Sequence, residues 1–170
     1  GMLPMCYPAD HNDGNFIPNW ALWFVIQLEE YFHRSRDREL IDKLKNKVYG
    51  LFDYFKKFKN ELGLLEKLEK WVFVEWSKAN EFVQDVNAPS NMLYAGALKA
   101  ASRLYHDSVM KKEAESVKDT IRRLFFNGEF FIDNAVREKS GLVITNNRTE
   151  VCQYYAFFFG IAAPDTHPVL

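Results

Sequence analysis

The chain has 170 residues, 48% of them hydrophobic and 26% charged, a composition that excludes a disordered segment and suits about one folded domain. Its net charge of −1 at pH 7 excludes the concentrated Lys and Arg that a nucleic-acid partner needs. No apolar run is long enough for a membrane span, and two distant cysteines, Cys6 and Cys152, form no CxxC pair, so buried thiols are expected and neither a metal nor a cofactor.

Residues 1–17 are rich in Pro, Gly, Asn and Asp and read as irregular chain, with no visible leader peptide, which slightly favours the cytoplasm. Gly1 before Met2 looks like a tag scar. Asn15 and Pro18 suit a helix start. Residues 18–33 are apolar almost all round (Trp20, Leu22, Trp23, Phe24, Val25, Ile26, Leu28, Tyr31, Phe32), which predicts a helix buried on most sides. Asp37 is a good N-cap for the next helix. There Leu40, Ile41, Leu44, Val48, Leu51, Phe52, Phe55 and Phe58 recur at three and four, so that helix buries one face.

A linker follows, with a Gly stop and the run "WVFVEW", too short and too β-rich for a helix. A third helix is predicted from Pro89–Ser90, with small residues Ala95, Gly96, Ala97, Ala100 and Ala101 permitting close approach. A fourth covers residues 108–126, with Ala114, Val117, Ile121, Leu124 and Phe125 on one face. "GEFFIDNAV" and "SGLVIT" predict a short β-hairpin around a charged turn. A fifth helix spans residues 146–160, with Asn147 and Glu150 at capping-box spacing and Gly160 as its stop.

Helices shielded all round thus alternate with helices shielded on one side. Two concentric layers produce that pattern: an all-α fold, part of an (α/α)6 barrel of helical hairpins, forming one helical domain over 1–170. A plain bundle or a solenoid competes, although no fixed repeat period supports the solenoid.

Three stretches carry a resemblance. "DGNFIPNWALWFVIQLEEYFHRSRDRELI", "GLLEKLEKWVFVEWSKANEFVQDVNAPSNMLYAGAL" and "NRTEVCQYYAFFFGIA" resemble, in order, successive hairpins of bacterial α-L-rhamnosidases, the six-hairpin glycosidases of glycoside hydrolase family 78. The family's aromatic–X–Asp–Trp element, followed by Asn and Tyr leading into an Ala-Leu helix, matches Phe73, Glu75, Trp76, Asn91, Tyr94, Ala97 and Leu98. Glu75 stands where the family usually has Asp, which displaces the carboxylate by roughly 1.5 Å, about one C–C bond.

The resemblance implies inverting hydrolysis of terminal rhamnosyl linkages by a full-length parent, with a rhamnose-containing glycoside as partner. In that family the general acid precedes this region in an Arg/Glu-rich stretch ending Gly-Trp, and the base follows in a Trp-Glu loop. Neither stretch is present, so the catalytic carboxylates are expected outside this chain; "RDREL" at residues 36–40 reads as a helix start. Twelve helices of about 11–12 residues with linkers of about 4–6 need near 200 residues, so the chain is expected to be a middle portion of the barrel, inactive alone, and prone to self-association through uncovered inner-helix surface.

The residues expected to line a sugar pocket are Asp10, His11, Asp13, Trp20, Glu75, Trp76, Asn87, Asn91, Tyr94 and Glu150. Aromatic residues make up 16% of the chain, and their rings can stack on the C–H faces of sugars. Each candidate also has a structural reading: Trp76 as core, Glu75 as a solvated carboxylate, Asn91 and Glu150 as capping residues, and Asp10, His11 and Asp13 as a polar loop. Alternative functions are another (α/α)6 carbohydrate enzyme, glucoamylase-like or an unsaturated glycuronyl hydrolase, or a non-catalytic helical binding domain.

Overall fold

A computed structural model describes residues 2–5 and 14–167. Asp10, His11, Asp13 and Cys6 lie outside the described residues.

Among the described residues five α-helices form: α1 (Pro18–Ser35), α2 (Arg38–Phe55), α3 (Ala88–Tyr105), α4 (Ser108–Phe125) and α5 (Glu150–Phe158). The predicted hairpin is β2 (Asn134–Glu138) and β3 (Gly141–Ile144), and β1 (Val86–Asn87) joins it in an antiparallel sheet of order β1-β2-β3. The register pairs Val86 with Ala135 and Val136 with Val143.

Two tight turns set the layering. Arg36 (φ 58°) ends α1 and His106 (φ 54°) ends α3, each in the left-handed region. Asp37 and Asp107 then cap α2 and α4, their carboxylates accepting from backbone N–H groups of the first turn. Such short connections force antiparallel hairpins. The N-terminal Asn19 of α1 bonds to the N-terminal Ser90 of α3, and Glu29 pairs with Arg103 near the opposite ends, so α1 and α3 run parallel. Asp133 links the starts of α3 and α5 in the same way, through Ala88 and Thr149. The inner layer is therefore α1, α3 and α5 side by side, with α2 and α4 packed outside.

The central helix, α3, is buried along most of its length. Gly96 is what lets α5 approach it: a Cβ there would sit 2.6 Å from Phe159 Cε1. By contrast, α1 is not buried on most sides. Trp20 is 42% exposed, and Trp23, Phe24 and Ile26 are half-buried, because α1 has α3 along one flank and meets α5 chiefly through Trp23. Three capping details also differ from the sequence expectation. Ile17, with no side-chain cap, precedes α1; Thr149, not Asn147, caps α5; and Asn87, not Asn91, caps α3. Asn147 instead donates to Asn134.

Asn91 is fully buried and holds the linker down. Its Oδ1 accepts from Leu65 N–H at 2.7 Å, while Nδ2 donates to Leu65 O at 3.0 Å and to Asn87 O at 2.9 Å. Asn91→Ala strands two buried backbone groups of Leu65, each at about 1–3 kcal/mol. Urea unfolding is expected to show a loss of about 3 kcal/mol; a change below about 1 kcal/mol contradicts the clamp.

Candidate functional site

The inner helices all begin at one end, and the linker between β1 and the end of α2 crosses that end. Its central part, residues 71–82, is extended and then turns through a 3-10 helix, Lys78–Phe82, capped by Ser77. Three inner helices hold it. Asn19 of α1 accepts from Phe73 N–H at 3.3 Å, Asn87, the N-cap of α3, donates to Phe82 O at 2.9 Å, and Tyr155 of α5 donates to Val74 O at 3.3 Å. Asn80 accepts from Val74 N–H at 2.9 Å and closes the loop on itself.

With its backbone tied inward, the linker's aromatic rings turn outward. Trp20 meets Phe73 edge-on at 6.1 Å, Phe73 meets Trp76 at 4.8 Å, and Trp71 meets both at 5.5 and 5.9 Å. Phe73 is buried beneath; Trp71 is 45% exposed and Trp76 81%. Glu75 stands half-buried between them in sequence, close enough to Tyr155 to raise that hydroxyl's pKa, although burial is the larger cause. Glu150 is exposed in the first turn of α5, with the Tyr154 hydroxyl directed at it from 3.5 Å. An aromatic platform flanked by carboxylates, with helix N-termini behind it, can stack against a sugar face and bond its hydroxyls.

The structure divides the sequence candidates. Trp20, Glu75, Trp76 and Glu150 present solvent-reachable groups at this end. Asn87, Asn91 and Tyr94 are enclosed, and their polar atoms are engaged within the protein: Asn87 caps α3, Asn91 clamps Leu65, and Tyr94 donates to Glu113 at 2.7 Å. Burial, then Glu113, pushes the Tyr94 hydroxyl well above its ordinary range. These three hold the frame beneath the platform instead of facing an open surface, because the capping and clamp geometry points their side chains into the layer interface. Sequence reading missed Trp71, Asn80, Tyr154 and Tyr155. Trp71 was the most accessible of these, being in the same apolar run as Trp76.

Asp133 was also missed, since "FFIDNAV" reads as plain strand. It is fully buried at the junction of β2 with the starts of α3 and α5. Thr149 Oγ1 donates to Oδ1 at 2.7 Å, and Oδ2 is without a partner. Desolvation raises its pKa to about 6 against the opposing pull of Thr149. Among the described residues, no three His, Cys, Asp or Glu side chains gather as a metal site requires, and no helix is long and apolar enough to cross a membrane.

No family model matches the sequence, and no curated protein matches it. Solved structures do. The chain is similar to the GH78 family rhamnosidase of Bacillus sp. GL1, with a TM-score of 0.77 and 16% identity over 91% of this chain and 17% of that one. It is also similar to a rhamnosidase from Klebsiella oxytoca with rhamnose bound, with a TM-score of 0.65 and 15% identity over 92% of this chain and 30% of that one. The chain thus spans less than a third of either enzyme. At such identity the likeness is one of fold, and at that level it meets the resemblance drawn from the residues.

A raised carboxyl pKa favours the folded state where the group is protonated. The stabilisation is complete below about pH 4 and is lost as pH rises through about 6. Thermal unfolding of the wild type is therefore expected to shift downward between pH 4.5 and 7.5 by the equivalent of about 2 kcal/mol, and Asp133→Asn, which keeps the shape without the charge, to remove most of that slope. An unchanged slope in Asp133→Asn contradicts the assignment.

Proposed function

We propose that the chain is part of a glycoside hydrolase of α-L-rhamnosidase type, a segment of an (α/α)6 barrel whose rim supplies one wall of a sugar pocket. The observation that carries this reading is the Trp20–Phe73–Trp76–Trp71 cluster, held open to solvent at the shared N-terminal end of the inner helices beside Glu75. The two solved structures described above are rhamnosidases, which supports a glycoside hydrolase-related role.

In this reading Trp76 stacks on the sugar, Glu75 accepts from its hydroxyls, and Trp20 and Glu150 border the cleft. Asp10, His11 and Asp13, which precede α1 in the sequence, lie outside the described residues and stay candidates from the sequence alone. Asn87, Asn91 and Tyr94 act from beneath by fixing the linker. Inverting hydrolysis needs an acid and a base roughly 6.5–9.5 Å apart across the scissile bond. That pair is assigned to parts of a parent enzyme beyond these residues, so the chain binds without turning over. The exposed aromatic residues Trp20 of α1 and Phe158 of α5, on either side of the half-buried Trp23, mark the surface through which copies would associate.

Titration with L-rhamnose is expected to change the intrinsic tryptophan fluorescence, with a millimolar Kd, about −4 kcal/mol, since one wall of a pocket gives few contacts. Trp76→Ala is expected to abolish the response and Glu75→Gln to weaken it about tenfold, near 1.4 kcal/mol. An aryl α-L-rhamnoside is expected to remain uncleaved. A titration unaffected by either substitution contradicts the pocket, and turnover contradicts the placement of the acid and base.

A further inference from the structure

The linker that carries the platform returns almost to where it starts. Lys67 N–H donates to Asp85 O at 2.8 Å, so residues 67–85 form a loop closed at its base. Both closing residues lie in the left-handed region, Lys67 at φ 53° and Asp85 at φ 47°, and Lys70 follows at 66°. Residues other than glycine are disfavoured there, so further contacts must hold the base shut.

One residue outside the loop supplies them. Arg137 lies in β2, opposite Leu142 of β3. Strand β1 begins only at Val86, and the turn at Asp85 brings that side chain to the ladder instead: its carboxylate accepts from Arg137 N–H at 2.7 Å. The guanidinium takes the other end of the loop. It donates to the two oxygens of Glu66 at 2.8 and 2.5 Å, and to Glu61 at 2.8 Å. These bonds hold both glutamates below the usual carboxylate range, so both are charged at neutral pH. Glu66 is itself anchored, since its N–H donates to Phe58 O at 2.8 Å and Asn60 donates to its carboxylate at 2.9 Å.

Along the loop the ties are weaker. Val72, Phe73 and Val74 are buried, but the bonds from Phe73 to Asn19 and from Tyr155 to Val74 are neutral and both 3.3 Å long. Charge-assisted bonds of forked geometry are roughly twice as strong as neutral ones. The strongest grip is therefore at the base, and it passes through one side chain.

We propose that Arg137 is the positioning residue of the aromatic platform: by gripping Asp85 and Glu66 it keeps residues 67–85 closed as one unit, and without it that loop opens while the helical layers stay folded. The consequence for sugar binding rests on the function proposed above; the latch does not.

Trypsin tests the latch, because cleavage of a transiently opened segment follows the population of the open form. Lys70 and Lys78 are exposed in the loop, and Lys111 and Lys112 are exposed on α4. Arg137→Met keeps an unbranched side chain without charge or donors. It is expected to speed cleavage after Lys70 and Lys78 about tenfold and to leave cleavage after Lys111 and Lys112 unchanged. Arg137→Lys is expected to behave almost like Arg137→Met, because one ammonium does not reproduce a fork that spans two carboxylates. If Arg137→Met does not fold, Glu66→Gln decides by the same comparison of loop with helix. In the L-rhamnose titration Arg137→Met is expected to raise Kd about tenfold with Trp71, Glu75 and Trp76 intact. Loop cleavage equal to wild type overturns the latch. Equal acceleration in the loop and in α4 overturns it too, since that is general destabilisation. A wild type that ignores L-rhamnose defeats the sugar reading alone, and the proteolysis still judges the latch. Faster loop cleavage with an unchanged Kd, in a wild type that binds, overturns the positioning role.

Discussion

Everything at the rim depends on buried amides. A long linker crossing the ends of packed helices must satisfy its backbone groups where little water reaches, and an unpaired buried N–H or C=O costs about 1–3 kcal/mol. The protein meets this constraint with Asn19, Asn87 and Asn91. Each asparagine offers both an acceptor and donors. Asn91 takes both backbone groups of Leu65, Asn87 caps α3 and reaches Phe82, and Asn19 bridges Phe73 to Ser90. The linker is therefore as firmly placed as a strand would be, without being one.

The exposed aromatic cluster follows from that placement. Because the backbone of residues 71–82 is held from below, its rings stand outward in a fixed cluster, and Glu75 is presented beside them. The same end carries the N-termini of α1, α3 and α5, whose partial positive charge favours oxygen-rich ligands. At the far end the carbonyls closing α5 gather Lys118 and Arg122.

Much of this was legible in the residues. The helix boundaries followed from Asp37, Pro89 and the three-four spacing of α2 and α4, because capping and amphipathicity are local. The layering was read from helices apolar all round alternating with one-faced ones; the stretch that carried this, α1, is less enclosed than its apolar residues suggested, whereas α3 is the buried helix. The resemblance to rhamnosidases came from the order of the hairpins and linkers. What sequence could not supply was the partner of each polar side chain. Asn87 and Asn91 sit four residues apart in one stretch, and only the fold decides that one caps the helix and the other clamps Leu65, 26 residues away. Likewise β1 is two residues long, too short for any pattern, and exists because β2 lies alongside it. Asp133 and Lys118 look like ordinary surface charges in their local context; burial is a property of the elements packed over them.

The most direct measurement is native-state hydrogen exchange of the Leu65 amide, which lies in a linker and bonds to a side chain of α3. It is predicted to exchange only through global unfolding, together with the amides in the middle of α3. Exchange at the rate of an ordinary exposed loop would show that the linker is not held, and that the platform above it has no fixed shape.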